Sequence, residues 1–585
     1  MSAPSAPTQS LHAVPRAWRV RQRDADATRV LAEASGLSEP IAHLLLARGI
    51  TTADAARTFL QPRLTDLLSP SGLRGMDPAV QLILAVMQRE EPIVVYGDYD
   101  VDGMTASSTL FRFLSAVGAK VSVFLPDRFR DGYGLNPDRV NDLVTAGARL
   151  IITVDCGITA VGAVKVARDL GADVIIVDHH RLPSGPLPDA SVIINPHHPE
   201  CTFGFKELCA AGLAFHLAMA LRAELRARGA FLETPEPDVR DLLPFAAIGT
   251  IADLVPLRGI NRILTAHGLV RFAADRRAGL RALRAVALGQ KSVTASAVAF
   301  QVAPRLNAAG RLSSPMKCFE LLTTDDGEAA FAIAQGLDAE NTERRGIQET
   351  IEKSALAQAL EQQGESAAAY VLWDPGWHAG VAGIVAARVV ERFHRPCAVI
   401  ALVDGVGKGS LRSISGFDVL AGLERCAEHL IQFGGHAHAA GVTIAPENLP
   451  AFREAFVRAA EALTPKESLT PTLTLDDELS FGRVTTELLE HLHLLAPFGA
   501  GNPEPAFLTR GVRVVRRRPV GQTGEHFRLE LGHDGLTLPA VAFRAGERCP
   551  NVGELIDIAY KPEFNDWQGQ LTLQLRLVDV RPATN

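Results

Sequence analysis

No CxxC pair occurs anywhere in this chain, and its seven cysteines are scattered. That excludes a zinc ribbon, and the odd count argues against a disulfide framework; reduced thiols in a cytoplasm are the expectation. A basic excess is lacking too. The formal net charge is −7, so nucleic acid would have to be met by local basic patches. No apolar run is long enough to span a bilayer. The most apolar stretch, 209–221, is short and carries His216, so it reads as a buried helix and no membrane partner is expected. The opening MSAPSAPTQS has no basic region followed by an apolar core, unlike a secretory signal. No solenoid repeat is visible. A globular chain remains, with 585 residues that are 47% hydrophobic, enough for several cores and roughly three or four domains.

What is present is acid at the end of a strand. Ile93, Val94, Val95 and Tyr96 run through Gly97 into Asp98, Asp100 and Asp102, three carboxylates at alternate positions. A short apolar run bounded by turn residues reads as a buried strand. Ligand sites of open α/β sheets lie beyond the carboxyl ends of their strands. Carboxylates this close repel one another, and a divalent metal is the simplest compensation. A solvated acidic turn is the bland alternative.

Strands and helices alternate between about 75 and 195. Strands are expected at Ile93–Tyr96, 121–125, Leu150–Val154, Asp173–Val177 and 191–194, with helices at 105–117, 136–146 and 159–170. Near-continuous Val/Ile runs in this order predict a parallel sheet covered on both faces. Asp155 directly follows one strand, and Asp178, His179 and His180 follow another, on the same sheet edge. Residues 205–285 read as helical. Among them Asp253 stands in the apolar segment AIGTIADLVP, where a turn or cap carboxylate is the simpler reading.

Upstream, residues 1–20 read as a loose tail and 27–70 as small helices that serve as a packing appendage. The charge-rich stretch 320–363 predicts a long connecting helix with a solvated face. A second α/β unit starts near 367. It carries three glycine-dense stretches, GWHAGVAG (376–383), KGSLRS (408–413) and FGGHAHAAG (433–441), which suggest close backbone approach to an anion. Residues 464–474 read as a linker. Many short strands follow, a small barrel or sandwich. There Arg510, Arg513, Arg516, Arg517 and Arg518 mix with Phe527, Phe543, Tyr560, Phe564 and Trp567. Arginines among aromatics suit single-stranded nucleic acid; the alternative is a barrel core with a solvated charged face.

GDYDVDGMTA (97–106), TVDCG (153–157), VDHH (177–180) and ADLVP (252–256) resemble, in order, the motifs of the DHH phosphoesterase superfamily. GWHAGVAGIVAAR, KGSLRS and FGGHAHAAG resemble its associated domain. RLNAAGR (305–311) and APFGAGNPEPAF (496–507) narrow the likeness to the superfamily's single-strand-specific 5′→3′ DNA exonucleases. The likeness covers roughly 45–585.

The resemblance implies an α/β fold: a parallel-sheet DHH domain (46–319) and a smaller α/β DHH-associated domain (366–463), joined by a long helix (320–365). It also implies a C-terminal all-β OB-like nucleic-acid-binding barrel (464–585), with 1–45 left as tail and helical appendage. It implies two Mn²⁺ or Mg²⁺ ions held by Asp98, Asp100, Asp102, Asp155, His179 and Asp253, Asp98 being the least secure of them. His180 would face the substrate phosphate, with Asp100, Asp102 and Asp155 in the catalytic set and Asp178 orienting its neighbours. Two such ions roughly 3.5–4 Å apart can activate a water and stabilise both the attacking and the leaving oxygen. The expected substrate is single-stranded DNA, cut from the 5′ end to mononucleotides in repair and recombination. Ser410, Arg412 and Ser413 would bind the terminal phosphate, Lys408 or His436 would neutralise charge, and Arg305, Asn307 and Arg311 would hold the following backbone. Each arginine has interdomain ion pairing as its alternative. A single-strand-binding protein and a helicase are the implied protein partners. Competing readings are a DHH phosphodiesterase for short oligonucleotides or cyclic dinucleotides, and an inert DNA-binding scaffold. The arginine-rich barrel argues against the first and the complete acid set against the second.

Overall fold

The structure, a computed structural model, describes residues 14–583 apart from 129, 133, 363–366, 522–523 and 568–569. An N-terminal strand, β1 (Ala17–Val20), precedes three helices, Ala25–Ser35, Glu39–Leu46 and Ala53–Leu60. The β-branched runs then build one parallel sheet from β2 (Ile93–Tyr96), β3 (Val121–Phe124), β4 (Leu150–Val154), β5 (Asp173–Val177) and β6 (Val192–Ile194), in the order β3-β2-β4-β5-β6. Strands β2 and β4 are buried along their whole length, as a sheet covered on both faces requires. The chain leaves β2 toward β3 and crosses back to β4. The carboxyl ends of β2 and β4 therefore flank the point where strand order reverses, the place where such sheets open a crevice.

The helix expected at 105–117 begins earlier, at Val101–Ala116. Asp100 caps it, accepting from the amides of Asp102 and Gly103. The acidic stretch is thus part loop and part first helical turn. The apolar run at 209–221 lies in helix Ala210–Ala227, buried from Ala210 to Ala218. Among the described residues no helix is long and apolar enough to cross a membrane.

A 35-residue helix, Gly327–Glu361, leads to the second α/β unit. Its charge run is not wholly solvated: Asn341, Arg344 and Gln348 are buried on one face. The second sheet comprises β7 (Tyr370–Asp374), β8 (Cys397–Val403), β9 (Val406–Arg412), β10 (Gln432–His436) and β11 (Ala439–Ile444), in the order β10-β11-β9-β8-β7. KGSLRS lies within β9 and its end, and FGGHAHAAG is the β10–β11 hairpin.

The supposed linker contains β12 (Thr472–Leu475), which pairs in parallel with β1 from the supposed tail. Beyond it, β13 (Asp477–Glu478) leads into β14 (Phe507–Val520), β15 (His526–His533), β16 (Leu536–Ala542), β17 (Leu555–Trp567) and β18 (Gln570–Pro582). Strand β14 pairs with both β15 and β17, and β16 pairs with β18, which closes a five-stranded barrel. Leu31, Ile41, Leu44 and Leu45 from the N-terminal helices join Val512, Leu529, Ile558 and Leu577 of the barrel in one apolar core. The appendage therefore packs on the barrel, and the two ends of the chain form one body.

Of the barrel aromatics, Tyr560 and Phe527 are buried in that core, while Phe543 and Phe564 are half-buried. The side chain of Trp567 lies outside the described residues.

Candidate metal centre

Each acid reaches the crevice from a different element. Asp98 lies in the loop after β2 and is almost fully buried. The next helix crosses it closely, because a Cβ on Gly103 would lie 2.6 Å from the Asp98 backbone. Asp102, 1% exposed, accepts from the amides of Ala210 at 2.7 Å and Ala211 at 2.9 Å, the first turn of helix Ala210–Ala227. The positive end of that helix favours an anion there. Asp155 follows β4 with φ +65°. That is a left-handed conformation, which costs a non-glycine residue on the order of 1–3 kcal/mol and is typical of functional sites. Asp253 caps the carboxyl end of helix Leu243–Ala252, the end where the helix dipole disfavours a carboxylate.

His179 joins these walls. Its Nε2 is 3.1 Å from Asp155 Oδ1, 3.7 Å from Asp253 Oδ2 and 3.9 Å from Asp102 Oδ2. The structure brings together three overlapping donor sets: Asp98–Asp100–Asp155, Asp102–His179–Asp253 and Asp155–His179–His180. Within each set the donor atoms lie within 4.8 Å of one another. Two carboxylates at that separation repel by roughly 3–4 kcal/mol at an effective dielectric of about 20.

The electrostatics record that conflict. Burial, followed by the charge of Asp100, pushes the Asp98 carboxyl up to about 8. Burial and the charges of Asp102 and Asp100 do the same to Asp253. Asp102 and Asp155 are also raised, chiefly by burial. Burial lowers His179, which keeps its ring neutral and able to ligate. For His180, burial pulls down but the hydrogen bond and charge of Asp178 win, holding it at about 9. Asp178 Oδ1 accepts from His180 Nδ1 at 2.7 Å and from the His180 amide at 3.0 Å, and Oδ2 accepts from the Ile158 amide at 3.0 Å. Asp178 thus holds His180 and belongs to none of the donor sets.

This donor chemistry fits a divalent cation of the Mn²⁺ or Mg²⁺ kind: hard carboxylate oxygens with little imidazole. Cys156 and Cys209 lie beside the acids, but burial pushes both thiols far up, so neither offers a thiolate.

A basic wall faces the acids. Arg311 is half-buried, donates to Gly380 O at 2.8 Å, and is depressed to about 10 by desolvation and by neighbouring Arg128, Arg344 and Arg412. Arg412 and Ser410 lie on β9 against Gly383, at the start of helix Ala382–Phe393. Arg128 stacks over the Tyr99 ring with its guanidinium 5.1 Å from the centroid. Sequence reasoning missed both Arg128 and Tyr99. The available signals were the position of Arg128 just beyond β3, on the same sheet edge as the acids, and that of Tyr99 between Asp98 and Asp100.

Other expected contacts are engaged locally. Arg305 pairs with Asp338 of the connecting helix at 2.8 Å and also donates to Gln301 O. Ser413 Oγ donates to Phe417 O at 2.6 Å. Asn307 is half-buried on helix Ala303–Leu312, and Lys408 and His436 are exposed on β9 and β10.

A parallel sheet whose strand ends carry this acid and histidine cluster defines a phosphoesterase of the DHH class. The model of the DHH family, N-terminal domain, matches residues 92–250, that of the DHHA1 domain 364–462, and that of the RecJ OB domain 475–579. The chain is 37% identical over 568 residues to the single-stranded-DNA-specific exonuclease RecJ of Bacillus subtilis (strain 168), an alignment covering 96% of this chain and 70% of that protein. It superposes on RecJ from Thermus thermophilus in complex with Mn²⁺ with a TM-score of 0.83 and 32% identity, covering 97% of this chain and 80% of that one. The Mg²⁺ complex of the same protein gives 0.78 and 31%, covering 97% and 79%. The chain belongs to the RecJ family.

Proposed function

We propose that this protein is a cytoplasmic, metal-dependent, single-stranded-DNA-specific exonuclease that works from the 5′ end and releases 5′-mononucleotides. The observation that carries the reading is the overlap of the three donor sets through Asp155 and His179. The sets Asp98–Asp100–Asp155 and Asp102–His179–Asp253 share no donor, but the third set takes Asp155 from one and His179 from the other, 3.1 Å apart; two sets so adjoined suit two ions with Asp98, Asp100, Asp102, Asp155, His179 and Asp253 as ligands. Bound there, the ions supply Lewis acidity at phosphorus and a nucleophilic water.

The chain's own groups do the rest. Asp178 keeps a proton on His180 Nδ1, and His180, charged at neutral pH, offers Nε2–H to a non-bridging phosphate oxygen. Arg311 and Arg412 with Arg128, joined by Ser410, bind the terminal 5′ phosphate. Lys408, Asn307 and His436 meet the following backbone, while Arg305 and Ser413 shape the wall. Arg311 and Arg412, half-buried on that wall, narrow the approach to the phosphate, which accounts for single-strand preference. The arginine-bearing barrel feeds the strand in, and a dinucleotide phosphodiesterase has no need of it.

In this reading residues 46–319 form the catalytic unit, 320–365 the connecting helix, 366–463 the phosphate-binding unit and 464–585 the DNA-binding unit. A helicase and a single-strand-binding protein would supply and present the strand. The test is degradation of strands labelled at the 5′ or the 3′ end, single or duplex, DNA or RNA, with Mn²⁺ and with Mg²⁺. Release of label first from the 3′ end, or equal rates on duplex, would overturn it.

A further inference from the structure

Asp253 is the one acid in the cluster that lies neither just after a strand of the parallel sheet nor at the start of the helix after β2. It sits at a helix end, and the next residue, Leu254, is 71% exposed with φ +59°. What fixes this turn lies just beyond it and comes from the barrel end of the chain. The Leu257 amide donates to Ala500 O at 2.7 Å. A Cβ on Gly501 would lie 2.7 Å from Pro256 Cβ, and one on Gly499 would lie 2.7 Å from Leu257 Cδ1.

Segment 499–502 is itself held rigidly. Asn502, fully buried, donates through Nδ2 to Leu495 O at 2.8 Å and Pro497 O at 2.9 Å, and accepts from Arg48 Nε at 2.7 Å. Arg262, five residues past Leu257, donates to Phe59 O, Leu494 O, Leu495 O and Ala496 O. Four carbonyls around one buried guanidinium tie the N-terminal helices, the approach to the barrel and the loop of Asp253 into one block.

We infer that the glycine segment Gly499–Asn502 positions Asp253, so that the barrel end of the chain sets the protein's affinity for its divalent ions as well as for DNA. The inference rests on the metal-centre reading above. Gly499 and Gly501 are positioning residues: a methyl on Gly501 runs into the Pro256 ring and backbone, and one on Gly499 presses on the end of the Leu257 side chain, which is buried and has little room to turn aside, so that either moves the turn and displaces Asp253 from His179.

The experiment uses the full chain with Gly499→Ala, Gly501→Ala, Gly511→Ala and Asp155→Ala. Gly511 has φ +62° and nothing within 4 Å of its would-be Cβ. It therefore reproduces the backbone strain of Gly501 (φ +68°) in the same region without the contact. Mn²⁺ affinity is read by titration calorimetry, single-strand affinity in chelator by anisotropy, and folding by thermal melting. Mn²⁺ binding weakens about tenfold in Gly499→Ala and Gly501→Ala, while single-strand affinity in chelator and the Gly511→Ala control stay within about twofold. If Gly501→Ala does not fold, Gly499→Ala, which has no left-handed angle to strain, decides alone. Wild-type Mn²⁺ affinity in the folded glycine variants overturns the inference. If Asp155→Ala also binds Mn²⁺ normally, the metal centre itself is misread; if Asp155→Ala loses Mn²⁺ while the glycine variants keep it, only the positioning role fails.

Discussion

Asp178 Oδ1 lies 2.7 Å from His180 Nδ1; Asp178 is buried and His180 half-buried beside the acids, and Asp178 enters none of their donor sets. A carboxylate in this position fixes the tautomer and orientation of the ring and keeps it charged. Asp178→Asn retains the shape and removes the charge. The expected result is a fall in turnover of about 10–100-fold, with Mn²⁺ affinity nearly unchanged. Losing the anion that raises His180 lowers the ring's pKa, so the alkaline limb of the rate profile should move to lower pH. A variant with normal turnover and an unmoved limb would show that His180 does not act as a charged donor.

Asp155 and His179 each belong to two donor sets, whereas Asp98 belongs to one. Asp155→Ala or His179→Ala should reduce exonuclease activity to background, with single-strand binding largely retained. Asp98→Ala should keep measurable turnover that recovers at raised Mn²⁺. The check is a rate titration against Mn²⁺ for each variant; full activity of Asp155→Ala at any concentration contradicts the ligand assignment.

Proton release offers a third check. Without metal, burial and mutual repulsion hold Asp98 and Asp253 near 8, above their ordinary values. The folded metal-free protein therefore keeps protons that the unfolded chain gives up near pH 4. Its stability falls as pH rises from about 4 through about 8. Metal binding needs these groups ionised, so Mn²⁺ affinity should rise between roughly pH 6 and 9. The Mn²⁺-induced increase in melting temperature should grow over the same range. Calorimetry in buffers of different ionisation enthalpy would count the protons; none released at neutral pH contradicts the raised values.

Legibility in the sequence followed distance along the chain. Strands β2, β4 and β5 could be read because buried parallel strands are written as unbroken Val/Ile runs, and their acids because a strand end is a local event. The pairing of β1 with β12 could not, since its partners are 455 residues apart (Ala17 with Thr472) and each is too short to read alone. Asp253 looked like a turn carboxylate because what steadies its loop lies at 499–502. Arg305 offered the right charge for phosphate, but Asp338, 33 residues on, pairs with it from the connecting helix. Tyr560 and Phe527 could be read as stacking residues or as barrel core, and alternation in the closed barrel makes them core.

The barrel's role in DNA binding is best tested by charge, not by truncation. Cutting at about 465 would strip the apolar cover from Ile41, Leu44 and Leu45 and remove the carbonyls that hold Arg262, so a loss of activity would not isolate DNA binding. Arg513 and Arg518 are exposed on β14, while Arg516 pairs with Glu530 and Arg517 stacks 4.4 Å over Phe527. If Arg513 and Arg518 each meet a phosphate, the double alanine variant should bind long single strands more weakly and flatten the plot of log affinity against log salt by about 1.4, at roughly 0.7 per contact. Hydrolysis of a 5′-phosphorylated dinucleotide, too short to reach the barrel, should be unchanged. An unchanged salt slope would assign these arginines to a solvated face and leave the barrel a structural partner of the N-terminal helices.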